Sequence, residues 1–162
     1  MNARMTDFLT QLDRPALEAL GIEGFAYGYA DRVRFGELDA LNHVNNAVYL
    51  RWFENIRVSY VQEYGLSRYG APGDPQLVVR RVTADYFAPV LQNEAYVITA
   101  RTTLVKPSSF VMEYGLFVEG QKVAAGEAVG VSLTPDGTAR QNHRPEAVRA
   151  MVERDGARTE GL

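Results

Sequence analysis

The chain has 162 residues, of which 46% are apolar and 23% charged, enough for one domain with a buried core and too few for two sizeable domains. A formal net charge of -3 disfavours a nucleic-acid partner, and the absence of cysteine excludes disulfides, thiolate metal sites and a cysteine nucleophile. No apolar run approaches the roughly 20 residues of a membrane span, and charged residues interrupt Met1 to Leu20, where a signal peptide needs an apolar core. We therefore expect a cytoplasmic protein that does not enter a membrane.

The N-terminal part of the chain predicts a short helix and then a strand. Apolar side chains between Thr6 and Leu20 fit a helix, and Gly21 and Gly24 are typical of a helix end. Phe25 to Phe35 places apolar and aromatic side chains at alternate positions, which is the period of a strand. We assign residues 1–24 to an N-terminal extension and expect the main domain to begin at residue 25.

A long buried helix is predicted after a polar loop. From Ala47 onward, large apolar residues recur at i, i+4 spacing until Gly65, which is the natural stop. Asn45 or Asn46 is the expected N-cap, because a side-chain amide can accept a hydrogen bond from a free N–H of the first turn. The stripe is broad, so most of this helix should be buried.

The second half of the chain predicts strands joined by short turns. Four stretches show alternating or β-rich composition: Gln76 to Phe87, Ala95 to Val105, Ser109 to Val118 and Lys122 to Leu133. Short connections favour antiparallel pairing of neighbours. A last short helix is predicted over Pro145 to Arg154, within a C-terminal segment of residues 142–162.

This order of elements predicts an α+β fold in which a five-stranded antiparallel sheet wraps around one long central helix. The main domain would cover residues 25–141. A helix that is apolar around much of its surface needs a sheet to cover it. Such a sheet leaves open edges, and pairing of edges from two copies would satisfy them. We therefore expect a homodimer, or a homotetramer built from two dimers.

The loop before the long helix is the main candidate for a functional site, since a strand and a helix hold it on both sides. Asp39 and His43 could perform acid–base chemistry. Simpler interpretations remain open: Asp39 could form an Asx-turn, and His43 with the two asparagines could merely bond loop backbone and cap the helix. Glu37, Asp39 and His43 could also be read as a metal trio, but three ligands of this kind are weak evidence, and we predict no metal.

The residues of this loop and helix closely resemble the signature of the hotdog-fold acyl-CoA thioesterases, with the 4-hydroxybenzoyl-CoA thioesterase group as the nearest branch. The likeness rests on these segments: Arg34-Phe35-Gly36-Glu37-Leu38-Asp39, His43-Val44-Asn45-Asn46-Ala47, Tyr49-Leu50 and Trp52-Phe53-Glu54 with Arg57. It continues through these segments: Val78-Val79-Arg80-Arg81-Val82, Asp85-Tyr86 with Pro89, Ser108-Ser109-Phe110 and Met112-Glu113-Tyr114. It covers roughly residues 25 to 134.

The resemblance implies roles for three residues. Asp39 matches the family's catalytic aspartate. In the nearest branch, a backbone N–H at the start of the central helix, seven residues beyond the aspartate, binds the oxyanion, and this position is Asn46. Plant acyl-ACP thioesterases share the pattern from Asp39 to Asn46 and use the histidine in catalysis, so His43 is the third candidate. By the same resemblance, each active site lies at a dimer interface.

These residue types suit thioester cleavage without a cofactor. Hydrolysis needs water activated by a base, or a carboxylate that attacks directly, and Asp39 could serve either route. The oxyanion needs a donor, and a helix N-terminus offers unpaired N–H groups and a positive dipole end. His43 could orient water, hold Asp39 or donate to the carbonyl.

The predicted substrate is an acyl thioester of coenzyme A or of acyl carrier protein. In the loop, Asn45 is assigned to substrate contact. Basic and hydroxyl side chains suit the phosphates of the coenzyme, and the candidates are Arg81, Lys106, Ser108 and Ser109. Arg80 is a further basic candidate, but strand alternation would send Arg80 and Arg81 to opposite faces. Two other functions on the same fold remain open, a dehydratase or hydratase of acyl thioesters and a non-catalytic acyl-CoA binding module.

Overall fold

The computed structural model describes residues 9–162. Its elements are β1 (Thr10–Asp13), α1 (Arg14–Ala19), β2 (Tyr27–Arg32), α2 (Asn46–Glu63), β3 (Gln76–Tyr86), β4 (Ala95–Val105), β5 (Ser109–Val118), β6 (Gln121–Leu133), α3 (Pro145–Asp155) and β7 (Arg158–Thr159). The four predicted C-terminal strands and the long helix are confirmed to within one residue at nearly every end. The α+β class with an antiparallel sheet is also confirmed.

The prediction of five strands is wrong, because the sheet has seven strands within residues 9–162. Its order is β1-β2-β4-β5-β6-β3, with antiparallel neighbours throughout, and β7 pairs in parallel with β4. β2 pairs with the first residues of β4, whereas β7 pairs with Leu104 and Val105 at its other end. β7 and β2 therefore lie along the same side of β4, one at each end of that strand.

α2 is the longest helix among residues 9–162, and it packs its apolar stripe on one face of the sheet. Phe53 is fully buried and stacks on Tyr114 of β5, with ring centroids 4.7 Å apart. Gly126 of β6 makes this approach possible: a Cβ there would lie 2.5 Å from the Phe53 ring and 2.8 Å from the Thr83 carbonyl oxygen. Small residues in β6 thus let the helix sit close to the sheet.

The N-terminal segment differs from the prediction of a helix over Thr6 to Leu20. Residues 6–8 lie outside the described range, Thr10–Asp13 is a strand, and the helix spans only Arg14–Ala19. Asp13 accepts a hydrogen bond from the Ala16 N–H at 3.1 Å, and Pro15 lies in the first turn. Both features start a helix at this point.

α1 covers part of the sheet face opposite α2, beside the edge strand β1. Leu12 and Leu17 pack there with Phe25, Ala30 and Phe117 in a small cluster separate from the main core. The outer face of the sheet therefore has its own apolar cover at one end.

A bulge in β3 interrupts the alternation on which the interpretation of Arg80 and Arg81 depended. Val79 pairs with Gly130 and Arg81 with Val129, so that Arg80 is an extra residue. Leu77 and Ala84 both pack against the main core although an odd number of positions separates them. A regular strand would place them on opposite faces, and the bulge restores them to one face.

The C-terminal segment is anchored by the partly buried carboxylate of Asp155. Asp155 accepts hydrogen bonds from the Tyr64 hydroxyl at 2.7 Å and from the Thr102 N–H at 2.7 Å, and also from the Tyr60 hydroxyl. These bonds join the end of α3 to α2 and β4. Gly156, with φ of 70°, ends α3.

His143 of the C-terminal segment is partly buried. Its ring lies edge-on to Phe110, with centroids 5.8 Å apart, and its Nε2 is buried without a hydrogen-bond partner among residues 9–162. Burial lowers the pKa of His143 from its ordinary value of 6.5. The folded protein therefore favours the neutral imidazole.

We expect the free energy of unfolding to fall as the pH is lowered from 7.5 to 5. Because the folded pKa of His143 is depressed, the unfolded chain binds more protons below pH 6.5, and the stabilisation present above that pH is lost. His143→Phe should weaken this dependence. Urea unfolding of both proteins at several pH values measures it, and equal slopes in the two proteins would contradict the assignment.

Candidate active site

The loop between β2 and α2 forms a tight hairpin. The Asp39 N–H donates to the His43 carbonyl at 2.8 Å and the Asn42 N–H donates to the Asp39 carbonyl at 3.0 Å. Leu38 and Val44 pair across its base. Asn42 adopts a φ of 59°, a left-handed conformation that asparagine tolerates. This folding brings the backbones of Asp39 and His43 together.

The Asp39 carboxylate is held from one side only. Its Oδ1 accepts from the Leu41 N–H at 2.8 Å and the His43 N–H at 3.4 Å, which is the Asx-turn considered above. Its Oδ2 accepts no hydrogen bond from residues 9–162, and the side chain is half-buried. One oxygen thus fixes the carboxylate while the other can take a proton or attack.

The start of α2 is capped by Asn45. Its Oδ1 accepts from the Ala47 N–H at 2.9 Å, so the side chain proposed for substrate contact has a capping role in this structure. Asn46 is the first residue of the helix and is exposed. Its N–H has no intrahelical partner, as for every helix start, and the Tyr86 hydroxyl donates to its carbonyl at 2.8 Å.

Asp39, His43 and Asn46 meet in one open cleft of about 350 Å³. The other lining residues come from the loop, α2 and the end of β3: Val44, Tyr49, Tyr86, Phe87, Ala88 and Pro89. The Asp39 carboxylate and the N-terminus of α2 thus face the same cleft, whose other lining is largely apolar. This arrangement can bind a polarised carbonyl and activate a nucleophile next to it.

Tyr49 and Tyr86 form an aromatic wall of the cleft, with ring centroids 4.9 Å apart at 82°. Burial raises the pKa of Tyr49 to about 12, and the charges of Tyr86, Glu94 and Asp39 act in the same direction. The phenol therefore stays protonated at neutral pH. Tyr86 was named above only among the segments of the family resemblance, and its place in the cleft depends on β3 ending beside the start of α2.

The predicted coenzyme contacts do not lie at this cleft in the same chain. Tyr86 is level with Ala124 and Leu116 across the sheet, whereas Ser109 begins β5 at the opposite end. The strand rise of about 3.3 Å per residue makes the separation roughly 23 Å. Lys106 and Ser108 share that distant turn with Ser109.

The side chains of these residues have local partners. Lys106 forms an ion pair with Glu160 at 2.8 Å, and Arg81 forms one with Glu127 at 2.9 Å. The Ser108 hydroxyl accepts from Arg140 at 3.4 Å. Arg81 lies on β3, between the cleft and the distant turn.

No group of three or more His, Asp or Glu side chains that could hold a metal ion is found within residues 9–162. Glu37 of the suggested metal trio instead accepts from the Trp52 indole N–H at 3.0 Å. In the same part of the chain, no helix is long and apolar enough to cross a membrane.

The model of the thioesterase-like superfamily matches residues 33–152, which include the loop, α2 and strands β3 to β6. This chain belongs to that superfamily. The resemblance to hotdog-fold acyl-CoA thioesterases is confirmed, and the candidate cleft of this thioesterase-like protein falls inside the matched range.

Two solved structures show how far the similarity of this thioesterase-like protein extends. A thioesterase-superfamily protein from Jannaschia sp. CCS1 is 36% identical, with a TM-score of 0.91, covering 96% of this chain and 99% of that chain. A thioesterase from Thermus thermophilus, solved with coenzyme A and zinc, is 34% identical, with a TM-score of 0.69, covering 83% of this chain and 98% of that chain. Among curated proteins, the 1,4-dihydroxy-2-naphthoyl-CoA hydrolase of Synechococcus sp. WH7803 is 28% identical over 131 residues, 75% of this chain and 85% of that protein.

Proposed function

We propose that the protein is an acyl-CoA thioesterase, which hydrolyses an acyl thioester to the free acid and coenzyme A. The observation that carries the proposal is the meeting of Asp39 with the N-terminus of α2 in one cleft. Membership of the superfamily supports it, as does the similarity to a thioesterase solved with coenzyme A.

In the proposed reaction, the thioester carbonyl oxygen points at the Asn46 N–H, where the positive end of the α2 dipole stabilises the developing oxyanion. The Oδ2 of Asp39 removes a proton from water as the water attacks the carbonyl carbon, or Oδ2 attacks that carbon itself. The carbon–sulfur bond then breaks, and the departing thiolate takes up a proton. On the direct route, water hydrolyses the mixed anhydride that remains, which releases the acid and restores the Asp39 carboxylate. His43, beside Asp39 at the hairpin base, orients the water or polarises the carbonyl. We propose no cofactor besides the coenzyme A of the substrate.

Thiol release tests the function. Purified protein is incubated with a panel of aromatic, short-chain and long-chain acyl-CoAs, and free thiol is measured over time. Turnover of any member supports the proposal. Saturable binding of acyl-CoA without thiol release would instead favour a binding module, and water addition to an enoyl thioester would favour a hydratase.

We further propose a homodimer formed through β3. This strand is an edge of the sheet, is 11 residues long and exposes Val78, Val79 and Val82 by 40%, 41% and 37%. A long apolar edge of this kind is a template for pairing with another strand. Antiparallel pairing of two β3 strands would bring the Gln76 end of one copy beside Tyr86 of the other.

Such pairing would give the predicted coenzyme contacts a role. The turn with Lys106, Ser108 and Ser109 lies level with the Gln76 end of β3. In the dimer, this end of one copy approaches the cleft of the other. We therefore propose that a thioester bound at Asp39 extends its coenzyme toward basic and hydroxyl groups of the second copy.

Val82→Lys is expected to convert the dimer into a monomer. Two lysines, one from each copy, would face each other near the centre of the paired edges, and their like charges would repel. Light scattering after gel filtration should report 18.0 kDa in place of twice that mass. Val152→Lys is the matched control, since Val152 is also 37% exposed but lies on α3. A wild-type mass for Val82→Lys would contradict the β3 interface.

A further inference from the structure

Glu37 holds both ends of the candidate catalytic hairpin. Its Oε1 accepts from the Trp52 indole N–H at 3.0 Å, and its Oε2 accepts from the Arg34 N–H at 2.8 Å. Its carbonyl oxygen accepts from the Asn45 N–H at 2.9 Å. A single residue thus ties the start of the hairpin to the body of α2 and to the residue that precedes Asn46.

The partners of Glu37 are themselves fixed. Trp52 is 3% exposed and stacks on Tyr96 of β4, with ring centroids 4.2 Å apart at 23°. The Arg34 guanidinium contacts both carboxylate oxygens of the largely buried Asp31 at 3.3 Å. The Tyr96 hydroxyl points back to Asp31 at 3.5 Å. These five residues form a closed ring of contacts, which joins β2, β4 and α2 around the short turn Phe35–Glu37.

The tip of the hairpin and the Asp39 side chain do not have comparable support. Leu41 and Asn42 at its tip are exposed, Leu41 by 72%, and Asp39 is bonded only to neighbouring backbone groups of the same hairpin. The position of Asp39 relative to the Asn46 N–H therefore depends on the hairpin base. Glu37 fixes this base through its side chain at one end and its carbonyl at the other, and the buried Val44 adds a bond from its N–H to the Val90 carbonyl at 2.8 Å.

We infer that Glu37 and Trp52 are positioning residues, whose hydrogen bond sets the separation of the Asp39 carboxylate from the Asn46 N–H during thioester hydrolysis. This inference rests on the proposed function. Neither side chain lines the cleft, so neither needs to touch the substrate. A misplacement of about 1 Å between catalytic groups can reduce turnover about a hundredfold.

Trp52→Phe and Glu37→Gln test the inference. Phenylalanine keeps an aromatic ring against Tyr96 but removes the indole N–H, and glutamine has one acceptor for the two donors that Glu37 satisfies. Each variant is expected to lower kcat at least about tenfold, with KM within about twofold. The double variant should lose less than the product of the two single losses, because both substitutions disrupt the contacts of Glu37.

A matched control separates positioning from loss of stability. Tyr64→Phe also removes a side-chain hydrogen bond of α2, from the Tyr64 hydroxyl to Asp155 at 2.7 Å, but far from the hairpin. It should lower the unfolding midpoint and leave kcat unchanged. Wild-type kcat in folded Trp52→Phe and Glu37→Gln would overturn the inference, and so would a change confined to KM.

Asp39→Asn distinguishes this failure from that of the proposed function. If Asp39→Asn is inactive while Trp52→Phe keeps wild-type kcat, the catalytic assignment stands and the positioning role is wrong. If Asp39→Asn turns over like the wild type, the catalytic assignment is wrong and the positioning role is wrong with it.

Discussion

Asp39→Asn is expected to lower kcat for thioester hydrolysis by about 10² to 10⁴-fold, the range that a positioned general base contributes. The amide oxygen can still accept the Leu41 N–H that now bonds Oδ1 at 2.8 Å, so the Asx-turn and the hairpin should persist. The substitution replaces Oδ2 by an amide nitrogen and removes the negative charge. Thiol release at saturating acyl-CoA measures the effect, and an unchanged unfolding midpoint shows that the fold is retained.

The control for Asp39→Asn is a carboxylate near the cleft that does not line it. Asp85 precedes Tyr86 on β3 and is exposed, so Asp85→Asn changes the local charge equally. It should keep wild-type kcat. Turnover of Asp39→Asn at the wild-type rate would remove the aspartate from the mechanism and leave the loop as a structural turn.

Gly126→Ala is expected to lower the free energy of unfolding by about 1–3 kcal/mol, the usual cost of overpacking a core. The added methyl would lie 2.5 Å from the Phe53 ring and 2.8 Å from the Thr83 carbonyl oxygen. The ring cannot move away freely, because Phe53 is fully buried and stacked on Tyr114. Urea unfolding of the variant and the wild type gives the difference.

Gly36→Ala is the control for this packing argument. A Cβ at Gly36 meets no heavy atom of the described residues within 4 Å, so this substitution should change the stability by less than about 0.5 kcal/mol. If both glycine variants were equally destabilised, chain flexibility and not contact with Phe53 would explain the loss.

The elements predicted well from the sequence are those with a strong periodic pattern. β4 and β5 were predicted at their observed ends, since buried and partly buried residues alternate along much of each strand. β1 has one buried residue in four, Leu12, and β7 has none in two. Strands this short depend on pairing with their neighbours, and their sequences are too short to show an alternation of apolar and polar residues. The start of α1 was marked by Asp13 and Pro15, a local signal that the helical pattern from Thr6 obscured.

The site was predictable where its residues are close in sequence. Asp39, His43 and Asn46 belong to one motif, and the structure brings them into one cleft. Tyr86 reaches the same cleft from 40 positions away, through its bond to the Asn46 carbonyl. The bond from Trp52 to Glu37 was hidden because an aromatic residue on an apolar stripe suggests core packing alone. Contacts between segments that are far apart in sequence cannot be predicted until the register of the sheet is known.

The two ends of the sheet differ in a way that limits assembly. One edge is β3 with 11 residues, and the other is β1 with four. If two β3 edges pair, the sheet that results ends in β1 on both sides, and a four-residue edge is a poor template for a further strand. The sheet therefore has one long edge and one short edge, and in the proposed dimer further addition of strands would stop at two copies and would not continue into a fibre.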